Sequence, residues 1–240
     1  MLVSHKKRFI FTKTVKTAGT SVESYFEPYC MPDGEWQELH AREEYVSETG
    51  IIGYRGNNAR SSIWYNHMPA KEIFDLIGQN TWERYYKFTV VRNPFDKLIS
   101  GFFMYEKRKK NYSVIQKTKA LSKRILDLGN PIDRVKGETT IERFRSWIQK
   151  GGEIPDRDKY LIDGQECIDY YVRFEELHEG IKHVCNYLSI PFEPARIPQM
   201  KKGIRDNKMN VQDFYDNKTR QIVEKKYAWE LERFGYVFPA

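Results

Sequence analysis

Two short apolar runs, each followed by a polar turn and then by a helix-like pattern, constrain the fold of this chain most. Phe9–Phe11 is bounded by polar residues, which is typical of a strand that is buried on both faces. Tyr86–Val91 is a second such run, and 168–172 is a third. The segment 69–77, between the first two strands, and the segment 175–188, after the third, carry apolar residues at helical spacing. Strands separated by helices predict an α/β layer fold with a mainly parallel sheet.

Further along the chain, the pattern predicts helices that begin at Pro94 and at a capping box formed by Thr139 and Glu142. A last helix is predicted over 213–234. Residues 28–62 contain Pro, Gly, Asp, Asn and Glu without a clear period, which predicts a long irregular excursion. This excursion would be either a flap that faces a substrate or a plain surface insertion. We expect residues 1–240 to form a single domain.

Composition excludes several classes of protein. The hydrophobic fraction of 40% and the aromatic fraction of 15% exclude a disordered chain. Forty basic against 33 acidic side chains leave a net charge of +7, which suggests an anionic ligand, although most of the charge is mixed in sign. No apolar run reaches the roughly 18 residues that a membrane span needs. The three isolated cysteines, without zinc spacing, favour a reducing compartment, and we expect a cytoplasmic protein without a bound metal.

The loop after the first predicted strand has the outline of a phosphate site. Its backbone amides would be unpaired at a helix N-terminus, where the helix dipole favours an anion. Gly19 would let the backbone approach the ligand closely, and Lys16 would add a positive charge. The segment is not a Walker A loop, because the lysine precedes the glycine. The alternative is a capped helix start with a surface lysine.

The loop after the second predicted strand also places polar groups at a strand's C-terminal end. Arg92 lies where ligands collect in open α/β sheets, and its planar guanidinium suits a dianionic phosphate. Ser100 follows about two helical turns later. The alternative is that Arg92 pairs with an acid such as Asp96 and that Ser100 faces solvent.

Taken together, these two loops resemble those of the sulfotransferases that use 3′-phosphoadenosine-5′-phosphosulfate. The segment 16–21, Lys-Thr-Ala-Gly-Thr-Ser, resembles their 5′-phosphosulfate loop, and the segment 92–100 resembles their 3′-phosphate motif, about 76 residues later. The resemblance is nearest to the branch that contains heparan 2-O- and chondroitin-type enzymes and many bacterial homologues. It implies a P-loop-like three-layer fold. Residues 13–15 depart from the His-Ile-Pro that often precedes the loop lysine in this family.

The resemblance also implies roles for particular residues. Lys16 would stabilise the leaving phosphate, and Arg92 and Ser100 would bind the 3′-phosphate. A later basic loop would contribute Lys202 and Arg205. The 5′-phosphosulfate would be held by the backbone and side chains of Lys16, Thr17, Ala18, Gly19, Thr20 and Ser21.

An acceptor hydroxyl must lose a proton, and His67 is the candidate base. It precedes a predicted helix, in the region of the catalytic histidine of the heparan 2-O-type relatives, and an ordinary imidazole pKa near 6.5 suits this work. The alternatives are that His67 only caps that helix, or that Glu43 or Glu44 is the base. No metal is needed in this chemistry, and the products would be a sulfated acceptor and adenosine 3′,5′-bisphosphate.

Two other functions remain open at this point: a nucleotide-dependent kinase and a non-catalytic binder of acidic polymers. Arg92 and Ser100 argue against the first, and no nucleic-acid-binding motif supports the second. The acceptor, a saccharide or a small molecule with a hydroxyl or amine, is not determined by the sequence. The oligomeric state is not determined either.

Overall fold

The computed structural model describes residues 1–56, 61–111, 135–198 and 209–239, with the backbone alone for 108–111. The chain divides into two compact units. The first comprises Met1–Arg92 and Pro155–Met200, and the second comprises Asn93–Ile154 and Lys201–Ala240.

In chain order, the strands are β1 (Leu2–Ser4), β2 (Phe9–Phe11), β3 (Tyr45–Val46), β4 (Gly50–Ile52), β5 (Tyr86–Val91), β6 (Leu161–Ile162), β7 (Gln165–Glu166) and β8 (Tyr170–Arg173). The α-helices are α1 (Gly19–Phe26), α2 (Ala70–Ile77), α3 (Gln79–Arg84), α4 (Pro94–Asn111), α5 (Thr140–Gln149), α6 (Leu177–Tyr187), α7 (Val211–Phe214), α8 (Asn217–Lys226) and α9 (Ala228–Phe234). Short 3₁₀ turns cover Glu27–Cys30, Arg157–Lys159, Phe174–Glu176 and Pro194–Arg196.

The first unit contains a six-stranded sheet in the order β3-β4-β1-β2-β5-β8. Contrary to the sequence prediction, this sheet is mixed and not mainly parallel. Only β2–β5 and β5–β8 pair in parallel, whereas β1 pairs antiparallel with both β2 and β4, and β3 pairs antiparallel with β4. The turn at 5–8 between β1 and β2 is too short to join parallel strands, which need a crossover of a dozen or more residues.

The prediction for residues 28–62 was also incomplete. Two of the sheet's strands, β3 and β4, lie within this excursion, so part of it belongs to the sheet. The two strands have two and three residues, and strands this short show no readable alternation in the sequence. The third predicted strand lies two residues from its expected start, since β8 begins at Tyr170.

Both faces of this sheet are covered by helices, which confirms the predicted flanking of a central sheet. Leu2, Phe9 and Phe11 face a cluster that contains residues of α1 and α6. Val3 and Ile10 face the opposite way, into a cluster that contains residues of α2 and α3. All five side chains are fully buried, so successive strand residues supply the two faces in alternation.

The second unit is helical in its described part. The predicted capping box is confirmed, because the amide of Glu142 donates to Thr139 Oγ1 at 3.2 Å. Aromatic rings join α4 to its neighbours: Phe102 packs edge-on against Phe144, and Phe103 against Phe214. No helix among the described residues has the length and apolar character to cross a bilayer.

The single helix predicted over 213–234 is instead three helices, α7, α8 and α9. Tyr215 is extended, and its hydroxyl donates to the carbonyl of Phe95 at 2.9 Å. The carboxylate of Asp216 then accepts the amide of Thr219 at 2.8 Å and starts a new helix. Local capping therefore interrupts the apolar period that favoured one continuous helix.

The packing of α6 on β8 gives a test of the sheet's outer edge. A methyl group on Gly180 would lie 2.5 Å from Val172 Cγ1, which is a steric clash for two carbon atoms. Gly180→Ala should therefore destabilise the protein by about 1–3 kcal/mol in urea unfolding. At an uncrowded helix position, replacing glycine by alanine would instead raise the free energy of unfolding by about 1 kcal/mol. The loss in unfolding free energy should be smaller in a protein that also carries Val172→Ala. An increase in stability in Gly180→Ala would contradict this packing.

Candidate functional site

The loop after β2 and Arg92, the first residue after β5, lie next to each other in the first unit. β2 runs parallel to β5, with Phe11 opposite Phe88, so both strands end at the same edge. Arg92 Nη1 donates to the carbonyl of Lys16 at 2.8 Å, across 76 positions of sequence. Arg92 therefore lies beside the loop at Lys16, at the C-terminal end of both strands.

The loop between β2 and α1 has an unusual backbone. Lys16 and Ala18 have positive φ angles of 64° and 58°, a conformation that costs a residue with a side chain about 1–2 kcal/mol. The hydroxyls of Thr14 and Thr17 bond to each other at 2.7 Å, and the amide of Val15 donates to both carboxylate oxygens of Asp156 at 3.0 Å. These contacts hold the strained turn in place.

Helix α1 begins at this turn without a side-chain cap. Ala18 occupies the N-cap position, and its carbonyl accepts the amides of Ser21 and Val22 at 2.8 and 3.2 Å. The amides of residues 17–20 donate to no acceptor in the part of the chain that the structure describes. Consecutive amides of this kind, at the positive end of a helix dipole, form a concave site for an anion.

Arg92 is held on two sides. Its guanidinium stacks over the ring of Phe174, with 4.0 Å from the central carbon to the ring centre, and it also donates to Lys16. Phe174 follows β8 directly, so three neighbouring parallel strands β2, β5 and β8 each contribute to fixing this cation. The guanidinium is planar by itself, and stacking on Phe174 fixes the orientation of that plane.

Behind the loop lies a buried cluster of charges. Lys13, only 2% exposed, donates from Nζ to Thr20 Oγ1 at 3.2 Å and pairs with the carboxylate of Glu23. Glu23 also pairs with Arg55 Nη1 at 2.9 Å and with the amino group of Met1. Burial alone would raise the pKa of Glu23, but these three cations lower it well below its usual range.

The same cluster attaches the excursion 28–62 to α1. Arg55 pairs with Glu23 and Glu27, and its remaining nitrogens donate to the carbonyls of Leu39 and His40. The described part of the excursion is therefore anchored by buried ion pairs. Glu44, one alternative base, accepts the amide of Trp64 at 2.6 Å, a contact that gives it a structural role.

His67 is hydrogen-bonded to the start of the loop between β2 and α1. Its Nδ1 lies 3.1 Å from the carbonyl of Lys13, and because a carbonyl can only accept, Nδ1 carries the proton and Nε2 has the free lone pair. Its φ of 59° places it in the left-handed region that histidine tolerates better than most residues. Burial and, next, the charge of Lys13 lower the pKa of His67 to about 3. The ordinary pKa expected from the sequence is therefore wrong for this state of the protein.

Three other predicted residues lie outside the described part of the first unit. Ser100 lies on α4, in the second unit. Lys202 and Arg205 lie outside the described residues. No group of three or more His, Cys, Asp or Glu side chains in the described ranges is arranged to hold a metal.

Three residues of this region were missed in the sequence. Asp156 lies 141 positions from the amide that it binds, and nothing local marks it. Phe174 lies 82 positions from Arg92, and no local pattern marks it as the stacking partner of that arginine. Glu23 and Glu27 are one helical turn apart, but Thr20, Ser21 and Ser24 make the segment look polar, so the sequence does not mark these two acids as buried.

A helix-flanked sheet with polar loops after its parallel strands defines an α/β protein of the kind that binds ligands at the C-terminal strand edge. The chain matches the model of the sulfotransferase family over residues 1–237. It therefore belongs to the sulfotransferase family, and the family resemblance seen in the two loops is confirmed. A sulfotransferase is a transferase, and the family generally uses 3′-phosphoadenosine-5′-phosphosulfate. Neither the curated proteins nor the solved structures include a significant match.

The environment of His67 predicts how the protein responds to acid. The folded state holds this imidazole neutral down to a pKa of about 3, whereas the unfolded chain binds a proton near pH 6.5. The unfolded state therefore binds more protons in this window, and stability should fall as the pH drops from 7 to 4.

NMR titration of the His67 imidazole should show no protonation between pH 8 and 5. His67→Gln should flatten the dependence of unfolding free energy on pH in the same range. Protonation of His67 near pH 6.5 in the folded protein would contradict the burial described here.

Proposed function

We propose that this protein transfers a sulfuryl group from 3′-phosphoadenosine-5′-phosphosulfate to a hydroxyl or amine of a saccharide or small-molecule acceptor. The observation that carries the proposal is the contact of Arg92 with the loop at Lys16, beside a run of amides without described partners. Family membership supports sulfuryl transfer over the nucleotide-dependent kinase and the non-catalytic binder.

The loop would hold the 5′ end of the donor. Amides of residues 17–20 would bind the non-bridging phosphate oxygens, and the hydroxyls of Thr20 and Ser21 would add donors. Thr17 would contribute its amide, because its hydroxyl donates to Thr14. A Cβ at Gly19 would meet the aliphatic stem of Lys13, so no larger residue fits at this position of the loop. Lys16 would lie at the bridging oxygen, where negative charge grows as the phosphate leaves.

The 3′-phosphate distinguishes this donor from ATP, and Arg92 is the residue proposed to bind it. Stacking on Phe174 orients the guanidinium before the ligand arrives, which reduces the entropy lost on binding. Ser100, Lys202 and Arg205 keep the roles that the family motif implies.

The transfer itself needs no covalent enzyme intermediate. An acceptor oxygen attacks sulfur in line, a new S–O bond forms, and the bond from sulfur to the bridging oxygen breaks. The leaving 5′-phosphate takes the electron pair, and the acceptor proton goes to His67 Nε2. Adenosine 3′,5′-bisphosphate and the sulfated acceptor are the products, and no metal enters the scheme.

His67 is a weak base in the ligand-free protein, because burial and Lys13 lower its pKa. A donor with about four negative charges would raise the pKa of a neighbouring imidazole. His67 would then become an effective base only when the donor is bound. We also propose that the enzyme acts in the cytoplasm and that residues 1–240 work as a single catalytic domain.

Calorimetry with adenosine 3′,5′-bisphosphate tests donor binding. The wild type should bind it with micromolar affinity, and both AMP and ATP–Mg²⁺ should bind at least about tenfold more weakly. Arg92→Ala should weaken binding of the bisphosphate about a hundredfold, because two charge-assisted hydrogen bonds are lost. Arg84→Ala, which removes an exposed arginine of the same unit, is the matched control and should change little. Equal affinity for AMP, or a preference for ATP–Mg²⁺, would reject this donor.

Turnover with radiolabelled donor and a panel of sugar, phenol and amine acceptors tests the chemistry. His67→Gln should reduce kcat about 10²–10⁴-fold while the affinity for adenosine 3′,5′-bisphosphate stays within about threefold of wild type. Lys16→Met should reduce kcat by a similar factor. Unchanged kcat in His67→Gln with any accepted substrate would remove His67 from the mechanism.

A further inference from the structure

Lys13 contacts three residues of the proposed site, although it precedes the loop motif at 16–21. Its carbonyl accepts His67 Nδ1–H, at 3.1 Å, and its ammonium donates to Thr20 Oγ1, at 3.2 Å. Its aliphatic stem crosses Gly19 so closely that a methyl group there would lie 2.7 Å from Lys13 Cγ. The glycine of the motif therefore has a second purpose, which is to admit this side chain.

The contact with Thr20 fixes the direction of one proton. An ammonium group has no lone pair, so Thr20 Oγ1 must be the acceptor in this bond. The hydroxyl hydrogen of Thr20 is then left for a different acceptor. Thr20 is only 7% exposed, and none of the described residues accepts this hydrogen.

Glu23 makes the position of Lys13 possible. A buried ammonium is costly unless it is paired, and the carboxylate of Glu23, itself 1% exposed, lies against Lys13 Nζ. Arg55 holds the same carboxylate at 2.9 Å and fixes its orientation. The ammonium is therefore held between Glu23 and Thr20, one turn apart on α1.

We propose that Lys13 is a positioning residue of the donor site. Its ammonium turns the Thr20 hydroxyl into a hydrogen-bond donor toward the 5′-phosphate, and its carbonyl keeps the lone pair of His67 on Nε2. This role rests on the function proposed above. Lys13 itself does not touch the donor; it acts through Thr20 and His67.

A double-mutant cycle tests this role, with adenosine 3′,5′-bisphosphate as the calorimetric probe. Lys13→Met keeps the stem over Gly19 and removes the charge, and Thr20→Val removes the hydroxyl. Each single variant should bind the probe about tenfold more weakly than wild type. The double variant should bind within about threefold of Thr20→Val alone, because both changes remove the same hydrogen bond. A loss of about a hundredfold in the double variant, or no loss in Lys13→Met, would overturn the role.

Thr20→Ser is the matched control, since it keeps a hydroxyl at the same place. Adding Lys13→Met to Thr20→Ser should again cost about tenfold in affinity, and a purely structural lysine would weaken binding equally whichever residue stands at position 20. Should Lys13→Met fail to fold, Lys13→Met with Glu23→Gln removes both members of the buried pair. Adding Thr20→Val to this double variant should then leave binding within about threefold of Thr20→Val alone. A further loss of about tenfold would overturn the role of Lys13.

The two levels of the proposal fail in different ways. A wild-type protein that does not bind the bisphosphate overturns the proposed function, and the role of Lys13 with it. A wild-type protein that binds normally, with independent effects at positions 13 and 20, overturns only the role of Lys13.

Discussion

Three threonines close the C-terminal end of the parallel pair β2–β5. Thr89 Oγ1 donates to the carbonyl of Thr12 at 2.7 Å, and Thr14 Oγ1 donates to the carbonyl of Val90. These bonds continue the pairing of the two strands beyond the regular ladder, into the segments that follow. The loop at Lys16 and the side chain of Arg92 consequently lie within hydrogen-bonding distance. The site in the first unit depends on this closure.

The second constraint is electrostatic. Nearby cations increase the affinity of a loop for an anion, but the charge of an exposed lysine is screened by water and salt. Here Lys13 is buried and paired, so its ammonium has a fixed position and a definite partner on Thr20. After burial itself, the charge of Lys13 is the largest cause of the lowered pKa of His67. One buried ion pair thus links the geometry of the loop to the protonation of the proposed base.

The sequence predicted those features that local patterns determine. The buried strand Tyr86–Val91 and the capping box at Thr139 have the bounds and contacts expected of them. The antiparallel part of the sheet was missed, because β3 and β4 are too short to show alternation. Asp156 was missed because its partner, Val15, is distant in sequence. The family was recognisable because two phosphate-type loops occur in a fixed order, but their closure depends on tertiary contacts.

The most direct test of the account is a crystal structure of the protein with adenosine 3′,5′-bisphosphate bound. The 5′-phosphate should accept hydrogen bonds from the amides of Gly19 and Thr20 and from the Thr20 hydroxyl. The 3′-phosphate should lie against the guanidinium of Arg92. A ligand bound away from this loop, or one with its 3′-phosphate on α1 and its 5′-phosphate on Arg92, would contradict the central claim.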